Sequence, residues 1–539
     1  MPRGPSPISK IMSTQSHGSP STTLKTRRLL RGEVTYDEAL DNDNNILHQL
    51  GYRDEKIKLY LHLNRNRKQI KASVAHHLGI AANRCRIADI EDWIHGSFNL
   101  CVRIDVDADG QEDIGRQENP SAKQVMIRFP LPFRIGENYH PGNADEKVCC
   151  EAGTYAWLQE NCPTIPIPQL YGFGLSTGQR FTCIDNLPFF ARIFQHLRRR
   201  ILSWLRYPIP SRYLPHHSSK EMLDTPYLLI EYIKPSQGKM LTETWEQGRH
   251  DPTLRSTLFH GLSQIMLALA RTPLPRIGSF ILNENGCLTL TNRPLTIDIQ
   301  QLENEHIPLD IPRDTTYTRV DSYLHDILAC HESRLRHQPN AVNDIEDGSY
   351  QASALMVMRS VWPCFFRRDL LNGPFFLHLT DLHHSNIFVD DHWNITSLID
   401  LEWACSHPVE MIHPPHWLTN EGIDLINVDE YQGLHTEFME ALAVEEGKLE
   451  RDLPFRLTPI LQQGWERGTF WCSLALRSPT ALFSLFYDHL QPRFANHQDD
   501  EAFWRIMTPY WAFNTSEFLE RKLKDKEQYD VDLRKEFES

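Results

Sequence analysis

Residues 377–403, LHLTDLHHSNIFVDDHWNITSLIDLEW, constrain this chain more than any other stretch. Apolar runs at 387–389 and 395–399 flank a polar turn at 390–394, the pattern of a β-hairpin. Asp381 and Asn386 lie on the loop entering the first strand and Asp400 ends the second. Folding the hairpin therefore carries two carboxylates and an amide to its open end. That donor set suits Mg²⁺, a hard cation that takes oxygen ligands and shares them with phosphates. Taken alone, the D-x-x-x-x-N spacing is also ordinary turn chemistry, in which Asp and Asn bond their own backbone.

Composition narrows the setting. At 539 residues the chain has room for roughly two to four domains. Its 40% hydrophobic and 23% charged content is that of a soluble globular protein, and no apolar run approaches the ~18 residues of a membrane helix. A formal net charge of -14 argues against a general nucleic-acid binder, because phosphate backbones select basic surfaces. Eleven cysteines without repeated C-x-x-C spacing indicate neither a disulfide framework nor a zinc site, and point to a reducing interior.

The run Asp381, Leu382, His383, then Asn386, then Asp400 followed by Glu402 and Trp403, resembles the catalytic core of the aminoglycoside phosphotransferase family, and of its fungal members in particular. The resemblance implies an α+β, bilobal protein-kinase-like fold with a small antiparallel β-sheet N-lobe and a larger, mainly helical C-lobe. It also implies ATP and Mg²⁺, with Asp381 as the base for the attacking hydroxyl and Asn386 and Asp400 holding the metal on the nucleotide phosphates. One position departs from the pattern. The kinase-type His two residues before the catalytic Asp is here Leu379, with His378 one place off.

On this template the chain divides into a disordered segment (1–40), a helical extension (41–84), an N-lobe (85–235), a C-lobe (236–515) and a charged tail (516–539). Strands are expected at 87–94 and 100–106, joined by residues 95–99. In the kinase-like fold this loop covers the phosphates, so Gly96 and Ser97 become candidates, although an ordinary hairpin turn explains them equally well. An acidic, solvated loop follows at 107–118. Arg128, on a strand at 125–130, stands where kinases place a Lys, and Glu151 on a helix at 145–159 is its expected partner. By resemblance Arg128 grips the nucleotide phosphates; an exposed edge-strand Arg and a surface Glu are the plain alternatives. Glu231 and Ile233, following the apolar strand at 227–233, fall where the inter-lobe linker binds adenine.

Other stretches carry less chemistry. Residues 1–32 contain no Asp or Glu, which gives half the signature of a mitochondrial transit peptide; a cytoplasmic location is the first reading and a mitochondrial one the alternative. Helical patterns over 44–80 put Ile57, Tyr60 and Leu61 on one apolar face and Ile70, Val74 and Leu78 on the next, and are expected to brace the N-lobe. Over 187–207, apolar residues recur at three- and four-residue steps with five arginines between them. This stripe is expected to pack as an insertion against its own lobe, a membrane surface or a partner groove being the alternatives. His331, Glu332 and His337 are read as a solvated helix face, and residues 407–417 as a Pro-stiffened loop near the cleft.

The expected activity is transfer of the ATP γ-phosphate to a hydroxyl of an unidentified small-molecule acceptor, with no nucleic-acid partner. The alternative, prompted by Leu379 and Arg128, is a catalytically weak or inactive nucleotide-binding scaffold.

Overall fold

The computed structural model describes residues 25–107, 123–217, 223–449, 455–494 and 500–538. Residues 1–24 of the expected disordered segment, and the expected acidic loop beyond Asp107, lie outside them. The chain mixes helix and strand.

Two helices, α1 (Tyr52–Arg65) and α2 (Arg67–Leu78), precede an antiparallel sheet. Its strands are β1 (Cys85–Ile87), β2 (Ile94–His95), β3 (Asn99–Val106), β4 (Lys123–Pro130), β5 (Leu170–Gly174), β6 (Gln179–Cys183), β7 (Tyr213–His217) and β8 (Tyr227–Glu231). Among the described residues they run in the order β1-β3-β4-β8-β5-β6-β7, with β2 pairing β3 beside β1. The helix α3 (Asn143–Asn161) connects β4 to β5, and α4 (Phe189–Trp204) connects β6 to β7.

Both faces of the sheet are covered, so the central strands are buried nearly throughout instead of alternating. Ile70 and Val74 of α2 join Leu100, Val102 and Phe129 in one cluster. Val148, Ala152 and Tyr155 of α3 join Phe173, Leu228 and Ile230 in another. In α3, Gly153 is required by close approach: a Cβ there would lie 2.2 Å from the carbonyl oxygen of Phe280. The missing side chain lets the helix seat on the hairpin Ser279–Leu282 and Leu288–Asn292.

From β8 the chain crosses to Lys239–Met240, which pairs with Phe388–Val389 of the expected hairpin. That hairpin forms as Ile387–Val389 against Ile395–Leu398. Asp390 closes its turn, its carboxylate accepting from the amides of His392 and Asn394 at 2.9 Å. Helices Pro252–Ala270, Val320–His337, Ile345–Phe365 and Val428–Gly447 surround it.

Several expectations need correction. The strand expected over 87–94 is interrupted by a turn at Ile90–Asp92. In α1 the buried face is Tyr52, Leu59 and Leu63, while Ile57 and Leu61 are exposed; both sets satisfy helical spacing, and packing decides between them. Two further helices, Leu457–Arg467 and Thr469–Arg477, are divided at Gly468, whose φ of +86° only glycine adopts readily. His331 is buried, bonded to the carbonyl of Leu476 at 2.8 Å, not solvated. No residue of α4 is buried, so the stripe expected to pack inward faces out.

The part of the expected disordered segment that is described, 25–40, is folded. Arg27–Arg28 pairs with Glu33–Val34 and Thr35 caps a helix at Tyr36–Leu40 through a capping box with Glu38. This unit lies on the expected tail, a helix at Thr515–Glu538, where Val34, Ala39 and Ile46 cluster with Tyr529, Leu533 and Phe537. Each partner supplies the apolar surface the other lacks.

Candidate functional site

The hairpin's open end is organised by backbone first. The amide of Ile399 donates to the carbonyl of Asn386 at 3.0 Å, which sets Asn386 beside the residue that precedes Asp400. The Asn386 side chain donates from Nδ2 to the carbonyl of Asp381 at 2.9 Å and to its Oδ2 at 3.4 Å. Its Oδ1 is left to the other side, with Ser385 Oγ at 3.4 Å. Asp400 adopts φ 55°, a left-handed conformation that Asp tolerates better than most residues, and its carboxylate accepts from Arg128 Nη2. The three residues expected to converge do so.

Arg128 sits at the middle of a buried ionic cluster. Its Nη1 meets Glu151 at 2.6 Å, the partner expected from sequence, and its Nη2 also meets Glu402 at 3.0 Å. Glu402 in turn accepts from Lys147 Nζ and from Asn99 Nδ2, each at 2.6 Å. Lys147 further donates to Asn99 Oδ1 at 2.7 Å and lies 5.5 Å from the centre of the buried Trp403 ring. The cluster thus ties β3, β4 and α3 to the three-residue turn that follows the hairpin.

Lys147, Asn99 and Glu402 were not singled out as site residues. Glu402 and Trp403 belong to the family-like run, and Lys147 stands one helical turn before Glu151. Only the fold reveals that all three meet, since Asn99 and Glu402 are 303 positions apart.

The electrostatics follow from the count. Four carboxylates, Asp381, Glu151, Asp400 and Glu402, share the space with two cations, Arg128 and Lys147. Burial opposes the charge on Arg128, but Asp400, Glu151 and Glu402 outweigh it and raise its pKa. Burial also works against the Glu402 carboxylate, and Lys147 with Arg128 overcomes it, lowering the pKa. Asp381 lacks such a partner. Burial, then the charges of Glu402 and Asp400, push its carboxyl up to about 7.

This excess of negative charge is what a divalent cation would relieve. Two carboxylates and one amide oxygen at the hairpin mouth fit Mg²⁺, which is held by one or two carboxylates together with phosphate oxygens rather than by an all-protein cage. Among the described residues no group of three or more His, Cys, Asp or Glu could hold a metal ion.

The remaining candidates are placed as follows. Gly96 and Ser97 form a tight turn between β2 and β3, with the Gly96 amide bonded to the carbonyl of Asn99 at 2.8 Å. The turn is drawn to the cluster because Phe98 packs edge-on against Trp403, ring centres 5.3 Å apart. Glu231 ends β8, its amide bonded to Gln169, and Ile233 lies just beyond, where the chain leaves the sheet for the hairpin. No hydrogen bond or ion pair among the described residues joins Glu231 or Ile233 to the ionic cluster.

Leu379 is buried on the strand Phe375–Leu379, paired to Ala404–Pro408. The Asp381 loop is braced from outside instead: Trp417 Nε1 donates to the carbonyl of Leu382 at 2.7 Å, and Arg477 to that of Thr380 at 2.9 Å. The nearby His378, on the strand Phe375–Leu379, and His407, His413 and His416 of the 407–417 stretch are all depressed in pKa, first by burial.

No family model and no curated protein matches the sequence. Two solved structures resemble the chain over most of its length. An ethanolamine kinase from Plasmodium vivax is 12% identical, covers 83% of each chain and has a TM-score of 0.34. The apoenzyme of macrolide 2'-phosphotransferase MphH from Brachybacterium faecium is 11% identical, with 81% of this chain and 97% of that one covered and a TM-score of 0.32. Neither likeness is close enough to carry a function across.

Proposed function

We propose that the chain is an ATP- and Mg²⁺-dependent phosphotransferase of the aminoglycoside phosphotransferase type. In this reading the sheet and α3 form the small lobe of a bilobal protein-kinase-like body and the helices after residue 236 form the large one. The observation that carries it is the meeting of Asp381, Asn386 and Asp400 at the hairpin mouth beside the Arg128–Glu151 pair.

Phosphoryl transfer asks the protein for positioning and electrostatics more than covalent chemistry. Asp381 accepts the proton of the attacking hydroxyl through a carboxylate oxygen, and the bond from Asn386 fixes its direction. Asn386 Oδ1 and the Asp400 carboxylate would hold the cation, which neutralises phosphate charge when bound. The turn carrying Gly96 and Ser97 covers the phosphates, and the Arg128 guanidinium, oriented by Glu151, contributes a fixed positive charge beside Asp400. Residues 231–233 offer backbone groups to the base.

A scaffold without turnover is the second reading, favoured by one observation: Arg128 is already engaged by three carboxylates, Asp400 among them. A single experiment separates the two. Mg·ATP binding is measured by calorimetry, and ATP loss is followed across a library of hydroxyl-bearing metabolites. An enzyme binds and turns over, and Asp381→Ala abolishes turnover while sparing binding. A scaffold binds only, and absence of Mg-dependent nucleotide binding sinks both.

A further inference from the structure

The helix α4 is built inside out. At about 100° per residue, Phe190, Ile193, Phe194, Leu197, Ile201 and Trp204 share one stripe roughly 100° wide. That stripe is turned to solvent: Phe190 is 84% and Trp204 82% exposed, and the other four are exposed as well. The opposite face holds the helix to the body through polar contacts. Arg199 bonds Glu160 at 2.8 Å, Arg192 bonds the carbonyl of Asp185 at 3.3 Å, and His196 lies 3.5 Å from the Asp185 carboxylate. A helix tethered by its charges with its apolar face outward is the reverse of a core helix.

We infer that this face docks on an anionic phospholipid surface. Three observations select that occupant. Residues 187–207 carry five arginines and no Asp or Glu, in a chain whose net charge is -14, so this helix is a locally basic element of an acidic chain. Arg198 and Arg200 fall at the two edges of the apolar stripe by helical position, and neither forms an ion pair among the described residues. That is the arrangement in which guanidinium groups reach lipid phosphates while the stripe enters the acyl boundary. Aromatic residues mark both ends, Phe189 and Phe190 at one and Trp204 and Tyr207 at the other, all exposed, as suits the headgroup layer. The contact is peripheral: among the described residues no helix is long and apolar enough to cross a membrane.

The test is co-sedimentation of the full chain with phosphatidylcholine vesicles, with and without phosphatidylserine. The protein should sediment with the anionic vesicles and stay in solution with the neutral ones. Raising NaCl from about 0.1 M to about 0.5 M should release most of it, since surface charge is screened within a few ångström at high salt. The double variants Phe190→Ser with Phe194→Ser, and Arg198→Gln with Arg200→Gln, should each reduce binding by about tenfold or more while melting like the parent. Failure to bind anionic vesicles overturns the inference, as does equal binding to neutral ones or indifference to the Phe pair. A dimer in size-exclusion chromatography that the Phe variant dissolves would assign the face to a second copy and overturn it too.

Discussion

Under the proposed function, Asp381 is a single carboxyl set for proton transfer by what surrounds it. Held up to about 7 by burial and by Glu402 and Asp400, it lies well above the ordinary 3.8. Because its folded pKa exceeds the unfolded one, folding favours the protonated acid: the contribution is complete below about pH 4 and is lost as pH rises through about 7. A base must be ionised, so kcat/KM should climb with pH through this range and level off above it, and saturating Mg²⁺ should move the limb to lower pH. Asp381→Asn should lower kcat by about 10²-fold or more and remove the limb, with Mg·ATP affinity kept. Arg128 predicts differently. Arg128→Met leaves Glu151 and Glu402 buried with Lys147 alone, and should cost about 3–5 kcal/mol in urea denaturation.

Among the elements, α3 depends on a contact that no side chain makes. Gly153→Ala places a methyl against the Phe280 carbonyl, which must move for the helix to stay. A loss of about 1–3 kcal/mol is expected by thermal denaturation, together with weaker Mg·ATP binding, because α3 also carries Lys147 and Glu151. The elements that were legible from sequence are those whose signal is local. The hairpin at 387–398 has alternating apolar runs and an Asp-led turn, and α3 has periodicity and few breakers, so both were placed within two residues of where they lie. The Arg128–Glu151 pair followed from a family pattern and is realised at 2.6 Å. Orientation was not legible. Periodicity gives α1 and α4 an apolar stripe without saying what meets it, so Leu59 and Leu63 were passed over for Ile57 and Leu61, and α4 was turned the wrong way. Asn99 and Lys147 escaped notice because each is one polar residue in an unremarkable setting until Glu402 arrives from far along the chain.

At the scale of the whole molecule, the segment at 27–50 buries its apolar face on the Thr515–Glu538 helix, beside polar ties from Arg334, Gln338 and Asn340 to the carbonyls of residues 42–44. Leu533 is fully buried between them. Leu533→Ala should cost about 2–5 kcal/mol locally and expose residues 27–50 to limited proteolysis under conditions where the hairpin and α3 stay protected. Equal resistance of the two regions would show that the segment holds itself. The Tyr529 hydroxyl accepts from the amide of Ile46 across 483 positions of sequence. During synthesis, therefore, the first-made of these pieces waits unpartnered while everything between is translated and folds, and the clasp shuts only when residue 529 has left the ribosome. A release that stalls short of that point would yield a chain with a finished ionic cluster at the hairpin mouth and an open seam.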